Sequence, residues 1–448
     1  MAPFLFDEPA QHGPWSEEQE DTFNKMHTPT STSLDAVSNR SRLADATTGA
    51  GKDSLYQVDT VDDISFGLEL KCLIPLLIAG EQNPGPKDTR ETIETSSESN
   101  GQARQDHAYA CIAKTIREAG YDATTTSEIS KAGLEERNCW ESCWIVKKAN
   151  SAEPTEEQRA LKGHVWVPVE ICSPKLRAND PDTYARVQRV MKLLVDKHGL
   201  VANYTCDIHV HLGRMDGRPF LLPTLKRLAM LLWLAEPTLR MIRDPKSPNY
   251  HNVYTWGAEI RRHSRLATGE PSCQDNGQHQ EFKDDDEVTN LLTTYKSVPP
   301  KDQNALGTIW TSPSYHDLGR LLSGETKQYR RLGFNFSAFG EEDDRAKSNP
   351  RTVEFRIMEG STQSDLVAIA DAAVVRRSET ESSGHQGGDG NMFGSSVGRL
   401  LRLSSRTEGE EASLTGQDFG RQFGELMQDL GLSREDYQAL EEKIVQEN

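Results

Sequence analysis

The sequence predicts an α+β domain built around a β-sheet with one apolar face and one polar face. Four short segments alternate apolar and polar residues, which is typical of strands because successive side chains point to opposite faces. Two longer stretches, 103–119 and 181–198, repeat apolar residues at helical spacing and stop at glycines. The four strand segments are Phe66-Gly-Leu-Glu-Leu-Lys-Cys72, Val165-Trp-Val-Pro-Val-Glu-Ile171, Ile208-His-Val-His-Leu212 and Thr352-Val-Glu-Phe-Arg-Ile357.

The other elements follow from the same two periodicities. The first strand covers 64–73, and the segments 139–147 and 163–171 flank a charged turn, so we expect them to pair as a hairpin. The helix at 181–198 is amphipathic and ends at Gly199. A further strand is predicted at 332–338, and further helices are predicted at 221–242, 314–322, 364–377, 416–430 and from a Ser433 cap onward.

Composition divides the chain into one folded domain and several polar segments. Hydrophobic residues make up 35% of the 448 residues, below the roughly 45–50% typical of globular domains. The deficit lies in stretches rich in Ser, Gly and acidic residues, which are typical of disorder. We therefore expect a disordered tail at 1–60, a catalytic domain at 62–377 with flexible insertions at 81–102 and 269–288, a disordered linker at 378–412 and a small helical segment at 415–448.

Charge and cysteine usage restrict the partners and the compartment. The net charge of −18 argues against non-specific binding to nucleic acid and against attachment to anionic membranes. The seven scattered cysteines are an odd number, which indicates reduced thiols in an intracellular, cytoplasmic protein. The first residues lack the pattern of a secretory signal, and the apolar run from Leu73 to Ala79 is too short to span a bilayer. The sequence leaves the oligomeric state open.

The polar faces of the four strand segments carry residues that suit a divalent cation and a polyanion. Oxygen and imidazole ligands together favour Mg²⁺ or Mn²⁺. Taken alone, the His209-x-His211 pair is also typical of two solvated side chains, and Glu354 with Arg356 is also typical of a surface salt bridge. The residues predicted to share this polar face are Glu69, Lys71, Glu170, His209, His211, Glu354 and Arg356.

Five motifs in a fixed order carry a resemblance. The series FGLEL, VPVEICSP, CDIHVHLG, RRLGFNFSAF and TVEFRIMEGST, within residues 62–377, resembles the amidoligase family found widely in fungi. That family belongs to the carboxylate–amine ligases related to glutamine synthetase and glutamate–cysteine ligase. The resemblance implies a curved antiparallel sheet of the glutamine-synthetase catalytic type, with helices packed on one face and ATP and Mg²⁺ or Mn²⁺ bound on the concave face.

The same resemblance implies a reaction and a set of cation ligands. ATP phosphorylates a small-molecule or peptide carboxylate, and an amine then displaces the phosphate to give an amide. Glu69 resembles the first acid of the family's Glu-x-Glu strand. His209 and Glu354 resemble the residues that join this acid on the nucleotide-side cation, and Glu170 resembles the ligand of a second cation.

The resemblance also assigns the residues around the phosphates. Arg356 is expected to act in catalysis by holding the substrate carboxylate or the transferred phosphate, since guanidinium groups stabilise phosphoryl oxygens. His211 is expected to contact the nucleotide. Arg331, or Arg330 beside it, is expected to reach the phosphates.

Two positions depart from the family pattern. Lys71 occupies the place of the second acid in Glu-x-Glu, which removes a cation ligand and adds a positive charge beside Glu69. Three outcomes are open: Lys71 takes the place of the lost cation in catalysis, the enzyme uses one cation, or catalysis is lost. The second departure is Gly360-Ser-Thr, where the family has Gly-Thr-Leu, and it affects the expected substrate pocket.

Two alternatives to the ligase therefore stand beside it. The chain could be a catalytically inactive relative that binds a nucleotide or a protein partner, which Lys71 favours. It could also be a metal-dependent hydrolase that uses His209 and His211 as ligands of a transition metal.

Overall fold

The computed structural model describes ten stretches of the chain. All of them lie in the unit Gln57–Asn448. The predicted linker 378–412 and helix 364–377 lie outside the described residues, as does the predicted tail 1–60 apart from Asp59. The described residues are 59, 63–83, 90–248, 250, 258–269, 300–325, 331–340, 351–361, 415–429 and 434–447.

The described residues form a mixed α/β fold with an open, mostly antiparallel sheet. Its central strands follow the order β3-β4-β5-β1-β7-β9-β8, while β2 and β6 pair with the two ends of β1. The pairs β1–β2 and β3–β4 are parallel. The strands are β1 (Ile64–Ile78), β2 (Ile93–Thr95), β3 (Ala123–Thr125), β4 (Trp144–Lys147), β5 (His164–Cys172), β6 (Leu176–Arg177), β7 (Asp207–Arg214), β8 (Phe334–Asn335) and β9 (Val353–Glu359).

Helices with clear capping signals connect the strands. The helix at 181–198 has Asp180 as its N-cap and Pro at its first position, and Gly199 closes it at φ 64°, a left-handed conformation that glycine adopts without strain. Short 3₁₀ turns span Glu136–Asn138 and Arg240–Ile242. The described helices are α1 (Gly101–Glu118), α2 (Thr126–Lys131), α3 (Glu156–Ala160), α4 (Pro181–His198), α5 (Leu222–Leu239), α6 (Ile260–His263), α7 (Arg265–Thr268), α8 (Pro300–Thr311), α9 (Tyr315–Leu321), α10 (Gly416–Asp429) and α11 (Arg434–Glu447).

One hydrophobic core joins the apolar face of the sheet to the helices. The strand residues Leu68, Val169 and Val210 belong to the same buried cluster as Ile112 of α1 and Val190 of α4. Burial of such side chains stabilises the fold by about 25 cal/mol per Å² of apolar surface. The alternation of strand residues therefore predicts the core face correctly, and the charged residues lie on the opposite face.

The hairpin predicted for 139–147 and 163–171 is present as the antiparallel pair β4–β5. Within the stretch 81–102, which the sequence predicts as an insertion, Ile93–Thr95 form an edge strand on β1 with Ile93 and Thr95 buried. The strand predicted at 332–338 is reduced to Phe334–Asn335, because the Asn335 side chain accepts the Ser337 amide and turns the chain.

Strand β9 contains a β-bulge opposite His209. Ile208 pairs with Met358 and Val210 pairs with Phe355, so three steps of β9 match two steps of β7. An extra residue of this kind bends the strand and changes the direction of its side chains. Both Phe355 and Met358 consequently reach the core.

The last described helix, α11, contacts the strand that carries the bulge. The ammonium of Lys443 in α11 donates to the Ile242 carbonyl at 3.1 Å and lies 3.0 Å from the Glu359 carboxylate at the end of β9. The other oxygen of Glu359 accepts the Asp244 amide at 2.9 Å. Phe423 of α10 lies in the common hydrophobic core.

Within the described stretches, no helix is both long enough and apolar enough to cross a membrane. The cysteines in these stretches are free thiols: Cys72, Cys111, Cys139, Cys143, Cys172 and Cys206.

The contact between α1 and α4 generates a pH-dependence prediction. His198 is buried, and its Nε2 lies 2.7 Å from the Thr115 hydroxyl. Burial is the main cause that lowers the pKa of His198. The unfolded chain therefore binds this proton at a higher pH than the folded chain does, and folding stability falls as the pH drops below about 6.5.

His198→Gln removes this titration and keeps a partner for Thr115. We expect the stability difference between the wild type and this variant, measured by urea unfolding, to narrow between about pH 7.5 and about pH 5.5. A difference that stays constant over this interval would show that His198 titrates alike in both states.

Candidate functional site

The register of four central strands brings the charged residues together. Across β1 and β7, Glu69 lies opposite His209. Across β7 and β9, His211 lies opposite Glu354. These residues share the non-core face, so two carboxylates and two imidazoles meet on three adjacent strands.

The more exposed residues of this group are Glu69 and His211, and Glu354 is buried beside them. The His211 Nε2 atom lies 3.3 Å from a Glu69 oxygen and 3.8 Å from a Glu354 oxygen. One ligand atom from each residue lies within 4.8 Å of the others. The opposite ring atom, Nδ1, lies 3.2 Å from the Thr352 hydroxyl. Thr352 therefore orients the ring so that Nε2 points at the two carboxylates.

The deeper imidazole, His209, is enclosed by acids. Its side chain is 1% exposed, and its Nδ1 lies 3.1 Å from Glu69 and 3.2 Å from Glu354. On the other side of the ring, Nε2 lies 3.3 Å from an Asp207 oxygen. A histidine held between carboxylates in this way has a fixed ring orientation.

Asp207 also forms a buried ion pair with Lys71. The Lys71 ammonium lies 2.7 Å from Asp207 Oδ1, and the two side chains are 8% and 1% exposed. A small apolar cluster that includes Leu73 and Cys206 adjoins this pair. Apolar surroundings strengthen the attraction between the charges, but removing both charges from water costs free energy.

Glu354 is held in place by two further groups. Arg356 Nη1 donates to Glu354 Oε1 at 2.6 Å. The side-chain amide of Asn335 donates to Glu354 Oε2, also at 2.6 Å. Arg356 Nη1 also lies 3.4 Å from His209 Nδ1. A guanidinium therefore adjoins the carboxylates and supplies positive charge for an anionic ligand.

A second acidic group lies on the β4–β5 side of the same face. Ligand atoms of Glu69, Glu170 and Cys172 lie within 4.8 Å of one another. Lys147 of β4 lies opposite Glu170, with its ammonium 3.3 Å from Glu170 Oε1. Lys71 lies opposite Glu170 from the other side, in β1. Glu170 is thus placed between two lysines on neighbouring strands.

The electrostatics keep the two central carboxylates ionised. Burial raises the pKa of Glu69, but the charge of His211 and hydrogen bonds to both histidines outweigh it and hold the pKa well below its usual value. Burial also raises the pKa of Glu354. The charge of Arg356 is the largest opposing cause, and the pKa of Glu354 is again strongly lowered.

The carboxylates around the two imidazoles favour their protonated forms. Burial and Arg356 lower the pKa of His209, yet Asp207 raises it, to about 9. Burial lowers the pKa of His211, and Glu69 more than compensates, so its pKa is raised. Burial raises the pKa of Asp207, but His209 and Lys71 bring it down to about 2. A cation that binds His211 would therefore release a proton.

The ionisable side chains around Glu170 differ in charge from those of the central group, Glu69, His211 and Glu354. Burial and the charge of Glu69 raise the pKa of Glu170. Burial raises the pKa of the Cys172 thiol well above its usual value, so the sulfur is neutral near pH 7. The pKa of Lys147 is raised, by Cys172 first and then by Glu170 and Glu69, against the effect of burial.

The central group fits a divalent cation by its donor chemistry. Two carboxylates and an imidazole are ligands that Mn²⁺ accepts, and the carboxylates also suit Mg²⁺. The His211 Nε2 atom is buried and lies 3.3 Å from a Glu69 oxygen and 3.8 Å from a Glu354 oxygen. A ring nitrogen that faces two carboxylates in this way has the geometry of a cation ligand.

The structure places the predicted residues as follows. Glu69, His209, His211, Glu354 and Arg356 come together. Glu170 lies beside them and pairs with Lys147, while Lys71 points to Asp207. Arg331 is half-buried and directly precedes Leu332, which bridges to Ala258; its role at the phosphates stays a prediction.

Sequence reasoning missed four residues of the site. Asp207 shares the alternation of His209 and His211, and Lys147 lies in a predicted strand, so strand periodicity alone could have indicated both. Asn335 also lies in a predicted strand, but its contact with Glu354 depends on strand order. Thr352 begins a predicted strand segment and shares the alternation of Glu354 and Arg356, so strand periodicity could have indicated it as well.

One of three comparisons with known proteins finds a similarity, and it covers part of this site. The sequence model of a family described as "Putative amidoligase enzyme" matches residues 92–302. This segment includes Glu170, His209 and His211, while Glu69 and Glu354 lie outside it. The comparisons with curated proteins and with solved structures returned no match.

The buried ion pair generates a stability prediction. Lys71→Met leaves Asp207 buried without its ammonium partner, and removing one member of such a pair typically costs about 3–5 kcal/mol. The double variant Lys71→Met/Asp207→Asn should recover part of this loss, since neither charge then remains unpaired. Urea unfolding of the single and double variants measures the coupling.

The control is the exposed pair Lys192–Asp196, at 2.9 Å, whose side chains are 70% and 60% exposed. Lys192→Met should cost less than about 1 kcal/mol. Equal losses at Lys71 and Lys192 would contradict a special contribution of the buried pair.

Proposed function

We propose that this chain is an ATP-dependent carboxylate–amine ligase. The observation that carries the proposal is the convergence of Glu69, His211 and Glu354, with Arg356 beside them, in a chain that matches an amidoligase family over residues 92–302. Phosphoryl transfer requires a cation to neutralise the phosphate oxygens and a nearby guanidinium or ammonium. The open antiparallel sheet is compatible with a glutamine-synthetase type of fold, which remains part of the proposal.

In this proposal the residues have distinct roles. Glu69, His211 and Glu354 hold the divalent cation, which supplies charge neutralisation at the phosphates of ATP when bound. Arg356 binds the carboxylate substrate or the transferred phosphoryl group. The acyl phosphate that forms from the carboxylate and ATP is then attacked by an amine, and phosphate leaves.

His209 has a positioning role. Its Nδ1 lies near both central carboxylates, and its Nε2 faces Asp207, so the ring fixes the direction of Glu69 and Glu354. This proposal moves the cation-ligand role that the sequence suggested for His209 to His211, whose ring is more exposed. His209 is 1% exposed and His211 28%.

The hydrolase alternative is less well supported by this arrangement. It needs both histidines on one transition metal, whereas His209 Nε2 faces Asp207 and both rings are surrounded by carboxylates. Carboxylate-rich sites favour harder cations than those typical of histidine-rich hydrolases.

The experiment that tests the proposal measures ADP release. The purified full chain is incubated with ATP, Mg²⁺ or Mn²⁺ and pools of amino acids and amines, with and without a chelator. We expect cation-dependent ADP release that increases with an acceptor amine, and amide products detectable by mass spectrometry. A chain that binds no nucleotide by calorimetry in the presence of Mn²⁺ is not such a ligase.

Glu69→Gln is the variant of choice at this site. The Glu69 side chain is 25% exposed, so the substitution should be tolerated by the fold, but it replaces a charged cation ligand by a neutral amide. We expect ADP release to fall by about 100-fold or more, as is usual when a charge-stabilising group is lost.

The matched control is Glu94→Gln in the edge strand β2, where the side chain is exposed. It should leave the rate unchanged. A similar loss in both variants, or an active Glu69→Gln enzyme, would remove the assigned role of Glu69.

A further inference from the structure

The second acidic group, on the β4–β5 side, has the donor atoms of a cation site. It lacks the excess of negative charge that a cation site needs. Glu69, Glu170 and Cys172 present ligand atoms within 4.8 Å of one another, comparable in spacing to the central group. If both groups bound cations, they would share Glu69. The difference between them lies in the residues that surround them.

Lys147 occupies the outer side of the second group. Its ammonium lies 3.3 Å from Glu170 Oε1 and 3.3 Å from Glu136 Oε2, and its side chain is 25% exposed. Glu136 belongs to the 3₁₀ turn that precedes β4. Glu170 and Glu136 therefore hold the Lys147 ammonium from two sides.

Lys71 occupies the inner side. It lies opposite Glu170 across β1 and β5, and its ammonium is fixed by Asp207 at 2.7 Å. A dication at Glu170 would therefore be placed near two fixed ammonium groups. At such short range in a partly buried site, repulsion between like charges is large.

The remaining donor is also unsuited to a hard cation. Cys172 carries a free thiol that donates towards Glu170 Oε1 at 3.5 Å. Only a thiolate is an effective metal ligand, and sulfur is a poor donor for Mg²⁺. By contrast, the central group combines two carboxylates with an imidazole, and its charged neighbours Arg356 and His209 are matched by Glu354 and Asp207.

We infer that the site binds one divalent cation, at Glu69, His211 and Glu354, and that the ammonium groups of Lys71 and Lys147 exclude a second cation from Glu170. The inference rests on the proposed function for the use of this site. It is independent of turnover, since cation binding is measured without ATP or substrates. The two lysines supply, as fixed parts of the chain, the positive charge that a second cation would bring.

The experiment counts bound Mn²⁺ on the full chain by electron paramagnetic resonance and by calorimetry, in the absence of nucleotide. We expect one equivalent for the wild type. Lys147→Glu replaces the ammonium at Glu170 by a carboxylate and should add a second equivalent, bound at least about tenfold more tightly than any second equivalent of the wild type.

Lys148→Glu is the matched control, since it makes the same charge change at the next residue, where the side chain is exposed. It should keep one equivalent. If Lys147→Glu does not fold, as judged by circular dichroism, Lys147→Gln removes the ammonium without adding an acid and should also admit a second, weaker equivalent.

The outcomes separate the inference from the proposed function. Two equivalents on the wild type overturn the inference and leave the ligase proposal standing. No bound Mn²⁺ on the wild type overturns both. A folded Lys147→Glu or Lys147→Gln chain that still binds one equivalent shows that Lys147 does not exclude the second cation.

Discussion

The site depends on the register of β1, which is paired along both of its edges. On one side Lys71 is matched with Glu170 of β5, and on the other Glu69 is matched with His209 of β7. A slip by one residue would turn Glu69 into the core and Leu70 onto the charged face. The apolar side chains of β1 prevent this, because the free energy of burying them is far larger than that of any single polar contact.

The charges on this face are mutually dependent. Asp207 stabilises positive charge on Lys71 and on His209, and His209 in turn adjoins Glu69 and Glu354. Polar groups that are buried together in this way are favourable when each has partners and costly when one is lost. The network therefore gives the site a defined geometry at some expense of stability, as is common at functional sites.

Local sequence patterns predict the core face of the central strands and most of the polar residues on the opposite face. Helix 181–198 is bounded by Asp180 and Gly199, and the strand residues alternate, so their limits and faces follow from local chemistry. The contact of Asn335 with Glu354 depends on strand order, which no local pattern contains. The difference between His209 and His211 was not predictable either: both share one face, and only neighbours such as Asp207 and Thr352 distinguish the buried ring from the more exposed one.

The contact of Lys443 with Glu359 joins two segments that are synthesised at different times. Glu69 is synthesised well before Glu354, and the helix that holds the end of β9 follows later still. Strand pairings between distant segments form slowly because a long loop must close first. The nascent chain therefore carries an incomplete acidic face until β9 has emerged and paired with β7.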